Sequence, residues 1–258
     1  MSACLKRRLA NKKSERKAGR RSRAVPFQMK EKVVAIIPAA GRGTRMGAEK
    51  NKLLLEAVGR PVISWTLSAF ESCPVVDEVI LVANEQDIFS YRDLICEEGF
   101  CKVSAIVRGG ETRAESVCRG ILAAEDADIV CIHDGARALI TPDEIRKVIE
   151  GVGETGAAIA AVPAVDTIKR AEGEFIAETP PRETLWQAQT PQVFKRQLIL
   201  DAMEKADETV TDDASLAEKA GIRVKLIETS YRNIKITTPF DICVLEAVLT
   251  KRSEEGCV

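Results

Sequence analysis

The sequence is poor in the residues that metal sites and nucleophilic sites most often use. Its 258 residues include one histidine, His133, and its eight cysteines form no C-x-x-C pair. A zinc site therefore has almost no candidate ligands, and a disulfide framework is not expected in a core this large. We expect the cysteines to be reduced and packed as small hydrophobic side chains, which indicates a cytoplasmic protein.

Long apolar runs are also absent. No uninterrupted run approaches the roughly 18 residues of a membrane span, so we expect no membrane association. Hydrophobic residues still make up 45% of the chain, an ordinary fraction for a globular protein. A chain of this length can form one large α/β domain with an additional tail.

Charge is distributed unevenly along the chain. Residues 1–32 contain twelve Lys or Arg and two Glu, a net charge of +10, whereas the whole chain carries −1. Residues 1–31 have too few apolar side chains to cover a core, so we predict a basic disordered extension there and one folded domain over residues 32–258. A nucleic-acid-binding arm is the alternative, but no aromatic residue precedes Phe27, and we expect no nucleic-acid partner. A plastid transit peptide is a further alternative, which the many lysines and few serines disfavour.

The glycine-rich stretch from Ala39 to Gly47 follows residues 33–38, an apolar run that indicates a buried parallel strand. Its three glycines allow the backbone to turn tightly and to point N–H groups inward, as in phosphate-binding loops. Fixed positive charge comes from Arg42, Arg45 and Lys52. The glycine spacing matches neither a P-loop nor a dinucleotide fingerprint. Two interpretations stay open: a strand-to-helix turn with solvated basic residues, or a cradle for a polyanion.

Strand and helix patterns alternate through the rest of the chain, which predicts an α/β fold with a mostly parallel sheet. The predicted strands are residues 78–83, 102–107, 128–133, 157–163 and 233–237. The predicted helices are residues 60–70, 87–99, 142–152 and 197–205, with two more starting near residues 211 and 239. Ligands of such sheets bind at the carboxyl ends of the strands.

Asp134 directly follows a predicted strand and is therefore placed for chemistry rather than for structure. The structural alternative is a helix cap, but Thr141 and Glu144 already supply a capping box for the next helix. His133 has an apolar neighbour on the strand, and we interpret it as a core residue. Lys235 lies in an apolar strand pattern and is either an edge residue facing water or a ligand to the site.

Residues 164–184 predict a hairpin arm. Residues 166–170 and 175–178 are short polar segments joined by the turn signal Glu172-Gly173. A hairpin alone is marginally stable in water. We therefore expect the arm to pack against a second copy of the protein.

Seven motifs in register resemble the 2-C-methyl-D-erythritol 4-phosphate cytidylyltransferases, over about residues 32–250. The motifs are AAGRGTRMG from Ala39, GGETRAESV from Gly109, HDGAR from His133, DTIK from Asp166, LWQAQTPQ from Leu185, TDDAS from Thr211 and NIKITTP from Asn233. The resemblance implies a Rossmann-like three-layer nucleotidyltransferase fold with a protruding β-hairpin arm. The chain departs from the family pattern at Gly135, where alanine is common, and at Ala138, where proline is usual.

The resemblance also implies a role for each site residue. The catalytic residues would be Arg45, Lys52 and Lys235. The nucleotide-binding residues would be Ala39, Ala40, Gly41, Gly43, Gly110, Ser116 and Gly135. The substrate-binding residues would be Asp134, Arg137 and Thr190, joined by Thr167 and Arg182 from the arm of a neighbouring subunit in a homodimer. Mg²⁺ would be held mainly by the phosphates of CTP, with no protein ligand assigned.

The implied reaction transfers the cytidylyl group of CTP to 2-C-methyl-D-erythritol 4-phosphate and releases pyrophosphate. The ionised phosphate of the substrate is itself the nucleophile, so no general base is required. Two alternatives remain at this point: a ribitol-5-phosphate cytidylyltransferase, whose motifs would be nearly the same, and a non-catalytic nucleotide-binding regulator.

Overall fold

The computed structural model describes residues 30–41, 51–205 and 212–255. The predicted basic extension lies outside these residues except for Lys30 and Glu31. The same is true of the loop segment 42–50, which carries Gly43 and Arg45. The described residues from Lys32 onward form one compact unit.

A seven-stranded sheet forms the centre of this unit, with strand order β11-β7-β10-β6-β1-β4-β5. The strands of the described residues are β1 (Val33–Ala39), β2 (Glu56–Ala57), β3 (Arg60–Pro61), β4 (Glu78–Ala83), β5 (Val103–Arg108), β6 (Ile129–Ile132), β7 (Ala157–Pro163), β8 (Arg170–Glu172), β9 (Phe175–Glu178), β10 (Trp186–Lys195) and β11 (Lys225–Glu228). Within the sheet, β10 runs antiparallel to its neighbours β6 and β7. The other pairs are parallel, as predicted.

Helices cover both faces of the sheet. Within the described ranges they are α1 (Val62–Ser72), α2 (Ile88–Glu98), α3 (Arg113–Ala123), α4 (Pro142–Gly151), α5 (Arg196–Glu204), α6 (Asp213–Lys219) and α7 (Pro239–Glu254). Helices α1, α2, α4 and α7 contribute to the core on one face, and α3, α5 and α6 to the core on the other. This arrangement confirms the predicted three-layer fold.

The apolar run of β1 is explained by burial on both sides. Val33, Ala35 and Ile37 belong to one core, whereas Val34 and Ile36 belong to the other. Because side chains alternate between the two faces of a strand, a strand covered on both faces needs apolar residues at consecutive positions.

In the described part of the chain, none of the helices combines the length and the apolar composition that crossing a bilayer requires.

The predicted hairpin arm is present, with a corrected first strand. Strand β8 begins at Arg170 rather than at Asp166, because Arg170 pairs with Glu178, the last residue of β9. It ends at Glu172, which pairs with Phe175. Gly173 makes that turn with a φ of +60°, a left-handed conformation that glycine adopts easily. All residues of β8 and β9 are exposed, so the hairpin protrudes from the described fold.

The prediction of a strand over residues 233–237 is wrong. The backbone there bonds to the loop after β6, since Ile236 N donates to Ala136 O at 2.8 Å and Arg137 Nη1 donates to Asn233 O at 2.6 Å. Bonds to a loop replace the ladder that would define a strand, and the segment crosses the carboxyl edge of the sheet. Strands β10 and β11 were not predicted.

The start of α1 is also corrected. Arg60 and Pro61 form β3 instead of the first helical turn, because Arg60 pairs with Ala57 and Pro61 with Glu56 in the β2–β3 ladder. The capping box of Thr141 and Glu144, by contrast, is present as predicted.

Candidate functional site

A cavity lies at the carboxyl edge of the sheet, where β1, β5 and β6 end. Nine predicted site residues lie in its lining, namely Ala39, Ala40, Gly41, Lys52, Gly110, Ser116, Asp134, Gly135 and Lys235. The rest of the lining is Pro38, Leu53, Glu111, Thr112, Arg113 and Ala136. Residues from widely separated motifs are therefore brought together at one place. The edge is the one at which parallel sheets bind ligands.

The loops after β1 and β5 approach each other closely at Gly109. A Cβ atom at this position would lie 2.5 Å from Ala40 Cβ and 2.9 Å from Ser116 Oγ. Only glycine permits this approach without displacing a neighbour. Ser116 Oγ in turn accepts a hydrogen bond from Gly110 N at 3.0 Å, which fixes the loop at the entrance to α3.

Asp134 is the buried carboxylate of the cavity. Its Oδ1 accepts a hydrogen bond from Arg113 Nε at 3.0 Å, and its Oδ2 lies 2.7 Å from Lys235 Nζ. Burial alone would raise the pKa of Asp134, but the charges of Arg113 and Lys235 outweigh it and hold this pKa well below its usual range. Asp134 is therefore ionised at neutral pH, and its position beside two cations explains why a buried charge is tolerated here.

Arg113 joins two carboxylates. Besides Asp134, its Nη2 donates to Asp213 Oδ2 at 2.9 Å. Burial raises the pKa of Asp213, although Arg113 acts in the opposite direction. Neither Arg113 nor Asp213 was predicted as a site residue. Arg113 lies in the motif GGETR and Asp213 in the motif TDDAS, so there was a reason to consider both residues. There was no reason to pair them, because no spacing rule links residues 100 positions apart.

Thr190 contacts both Asp134 and His133 through its hydroxyl group. Its Oγ1 accepts a hydrogen bond from Asp134 N at 3.0 Å and lies 3.1 Å from His133 Nδ1. His133 Nε2 lies 3.3 Å from Arg137 O, so the proton belongs on Nε2 and Thr190 donates to Nδ1. Burial lowers the pKa of His133 to about 4. The interpretation of His133 as a core residue is confirmed, because it is fully buried and both its nitrogens are paired.

Arg137 and Thr190 lie behind the cavity rather than in its lining. Besides the Arg137 bond to Asn233 O, Asn233 Nδ2 donates to Thr190 O at 2.8 Å. Burial lowers the pKa of Arg137, and its Nε has no hydrogen-bond partner among the described residues. These contacts tie the segment after β11 to the loop after β6.

Lys52 lies in the cavity, beside the segment that carries Lys235. Lys52 Nζ donates to Ile236 O at 2.8 Å. Lys52 therefore contacts the segment that carries Lys235, and both lysines bring positive charge to the cavity. Arg45 and Gly43 lie outside the described residues, and their roles stay predictions.

Thr167 and Arg182 are not in the cavity of the same chain. Thr167 is exposed, and Arg182 Nη1 donates to Val165 O at 3.0 Å. Their predicted role was in the site of a neighbouring subunit, and it stays a prediction.

The described residues contain no group of three or more His, Cys, Asp or Glu side chains that could hold a metal ion.

Comparisons with known proteins agree on one family. The family model described as 2-C-methyl-D-erythritol 4-phosphate cytidylyltransferase matches residues 33–251. Relatives of that name from Halalkalibacterium halodurans and Bacillus licheniformis are 45% and 46% identical to the chain. The first alignment covers 84% of this chain and 96% of the relative, and the second covers 85% and 97%.

Solved structures give the same result. The crystal structure of 4-diphosphocytidyl-2C-methyl-D-erythritol synthase from Anaerococcus prevotii matches with a TM-score of 0.76 at 31% identity, covering 86% of this chain and 99% of that one. The crystal structure of 2-C-methyl-D-erythritol 4-phosphate cytidylyltransferase from Thermus thermophilus matches with a TM-score of 0.68 at 30% identity, covering 85% and 99%.

Proposed function

The chain belongs to the 2-C-methyl-D-erythritol 4-phosphate cytidylyltransferase family, and from this premise we propose how its cavity carries out the reaction. The enzyme transfers the cytidylyl group of CTP to 2-C-methyl-D-erythritol 4-phosphate. The products are 4-diphosphocytidyl-2-C-methyl-D-erythritol and pyrophosphate, in a step of non-mevalonate isoprenoid precursor synthesis. The prediction of an enzyme rather than a regulator is thereby confirmed.

The observation that carries the assignment of roles is that one cavity joins the end of β1 to the Asp134 cluster. In our proposal CTP lies against Ala39, Ala40 and Gly41. The polyol phosphate lies against Asp134, whose ionised carboxylate accepts hydrogen bonds from polyol hydroxyl groups. The two substrates then meet at the edge of the sheet, with the attacking phosphate facing the α-phosphorus.

The nucleophile is the phosphate of 2-C-methyl-D-erythritol 4-phosphate. A phosphate monoester has a second pKa of about 6, so it is mostly dianionic at neutral pH and needs no base. What remains for the protein is alignment and the neutralisation of charge as pyrophosphate leaves. We assign that neutralisation to Lys52 together with Arg45, and the placement of the attacking phosphate to Lys235. Arg137, which lies outside the cavity lining, holds the segment of Lys235 through its bond to Asn233 O.

Mg²⁺ is proposed to enter with CTP. Because the described residues form no metal-binding group of their own, we assign its ligands mainly to the triphosphate oxygens. When bound, the ion would offset negative charge on the phosphates. The protein's contribution is the fixed positive charge of its lysines and arginines.

A homodimer through the arm is proposed as well. Five large apolar side chains on or beside the arm are exposed, namely Val165, Ile168, Phe175, Ile176 and Trp186. Burial against a second copy would remove this apolar surface from water. It would also carry Thr167 and Arg182 toward the partner's cavity. A cytoplasmic location is proposed on the support of the free cysteines Cys73, Cys96, Cys118, Cys131 and Cys243.

The experiment that tests the function follows pyrophosphate release from CTP with 2-C-methyl-D-erythritol 4-phosphate. Ribitol 5-phosphate, the alternative acceptor, serves as the comparison. We expect release with the first substrate and little with the second. Equal rates with both would contradict the assigned substrate.

A further inference from the structure

We propose that Arg113 is a positioning residue of the polyol-phosphate site. It holds the Asp134 carboxylate in place, and Asp213 holds Arg113. This inference rests on the proposed function of the cavity, in which Asp134 contacts the polyol. It extends the site to α6, an element that does not line the cavity.

The geometry of the guanidinium group carries the first step. Arg113 uses Nε for Asp134 and Nη2 for Asp213, at 3.0 and 2.9 Å. The group is planar and its donors are fixed relative to one another, so bonds to two carboxylates determine its orientation as well as its position. Arg113 therefore connects the start of α3, the loop after β6 and the start of α6 through one rigid group.

Asp134 needs such a partner because its other cation is less constrained. Lys235 has a flexible side chain, which is 41% exposed, and its segment is not part of the sheet. The Arg113 side chain is 31% exposed and is held at a second point. Of the two cations, Arg113 is therefore the one able to keep the Asp134 carboxylate in a single orientation while substrate enters and leaves.

Asp213 is not explained by the needs of α6. The helix is already capped by Asp212, whose side chain accepts from Ser215 N, and the Ser215 side chain completes the capping box. Asp213 is 4% exposed, and burying a carboxylate costs free energy that its ion pair often only offsets. Because the cap does not need Asp213, its buried carboxylate is explained by the orientation that it gives to Arg113 and, through Arg113, to Asp134.

The test compares Asp213→Asn, Arg113→Lys and Arg113→Gln with the wild-type enzyme in steady-state assays. Asp213→Asn keeps the shape of the side chain but removes the charge that holds Arg113. We expect it to raise KM for 2-C-methyl-D-erythritol 4-phosphate by about tenfold. KM for CTP should stay close to that of the wild type. Arg113→Lys should behave similarly, since an ammonium group reaches only one of the two carboxylates.

A pH profile separates positioning from a merely structural role. Asp134 is faced by Arg113, Lys235, Arg137 and Asp213, and the charge of Arg113 is one of the interactions that lower the pKa of Asp134. Arg113→Gln should therefore raise the pKa of Asp134, which the ¹³C NMR signal of the Asp134 carboxyl carbon reports as the pH is lowered. The titration is run without substrate, because the substrate phosphate, with a second pKa of about 6, would set the acid limb of kcat/KM by itself.

Arg146→Gln is the matched control. Arg146 also pairs with an aspartate, Asp143, at 2.7 Å, but this pair is exposed on α4 away from the cavity. We expect this variant to show wild-type kinetics.

Three results would overturn the inference. The first is an unchanged KM for the polyol phosphate in Asp213→Asn and Arg113→Lys. The second is a pKa of Asp134 that does not rise in Arg113→Gln. The third, which needs no activity, is a crystal structure of Asp213→Asn in which Arg113 and Asp134 keep their positions. A wild-type enzyme that forms no product would instead count against the proposed function.

Discussion

Replacing Thr190 by valine removes one hydroxyl group that serves two buried partners. The hydroxyl accepts from Asp134 N and donates to His133 Nδ1. Thr190 and His133 are 4% and 0% exposed, and Asp134 is 7% exposed. Valine has nearly the shape of threonine, so Thr190→Val leaves no cavity. Its effect on stability is the loss of hydrogen bonds to two groups that remain buried.

The magnitude follows from those two groups. A buried donor or acceptor left without a partner costs about 1–3 kcal/mol, so two of them cost roughly 2–6 kcal/mol of unfolding free energy. In a domain of this size each kcal/mol lowers Tm by roughly 2–4 °C. We therefore expect Tm to fall by roughly 4–24 °C in Thr190→Val.

Urea unfolding at neutral pH measures this loss directly, with Thr190→Ser as the control. Serine keeps the hydroxyl and loses one methyl group, which costs about 1 kcal/mol. Thr190→Val should thus be clearly less stable than Thr190→Ser, with an unchanged m-value. Equal stability of the two variants would show that the hydroxyl does not hold His133 and Asp134 in the way described.

Three further predictions concern the cavity, its support and the arm. Lys52→Met should lower kcat by about 10²-fold or more with an unchanged circular dichroism spectrum; a fully active variant would remove Lys52 from the mechanism. The pKa of His133 is about 4, below its value of 6.5 in an unfolded chain. The unfolded state therefore binds the proton first, and stability is lost as the pH falls from about 6.5 toward 4, by about 3 kcal/mol. His133 is the only histidine, so its single imidazole NMR signal should not shift between about pH 8 and pH 5, and a shift near its ordinary pKa would contradict its burial. Finally, the double variant Phe175→Asp, Ile176→Asp should halve the mass measured by light scattering and lower turnover; a dimer that persists would argue against the arm as the interface.

The fold was predictable wherever burial leaves a continuous apolar run. Strands β1, β4 and β7 are covered on both faces, and their consecutive apolar residues reveal them without any tertiary information. Helix starts were predictable for a similar reason, since a cap such as that of Thr141 involves residues a few positions apart. Local patterns suffice where the physical cause is itself local.

Strands β10 and β11 were missed because their residues do not follow that rule. Gln192 is 2% exposed within β10, and its side chain is paired with Asp212 and with the backbone of Ala214. From the sequence alone, a polar residue such as glutamine interrupts the apolar pattern of a buried strand. Only the partners of its side chain, about 20 positions away, explain why it is buried in β10. Strand β11 lies at the edge of the sheet, and of its four residues only Ile227 is buried.

The same limit applies to the site. Asp134 was predictable because it directly follows a buried strand, which places it at the binding edge. Arg113 and Asp213 were not predictable, because Arg113 contacts Asp134 and Asp213 only when α3, the loop after β6 and α6 come together in the fold. Lys235 was left undecided between solvent and site, and the structure places it 2.7 Å from Asp134.

The central claim is that this cavity joins CTP to 2-C-methyl-D-erythritol 4-phosphate in preference to a related polyol phosphate. The most direct measurement is a competition followed by ³¹P NMR, with CTP, Mg²⁺ and equal amounts of 2-C-methyl-D-erythritol 4-phosphate and ribitol 5-phosphate in one tube. We predict that the methylerythritol phosphate signal is replaced by diphosphate-diester and pyrophosphate signals while the ribitol phosphate signal persists. Consumption of ribitol phosphate first, or of neither acceptor, would contradict the account.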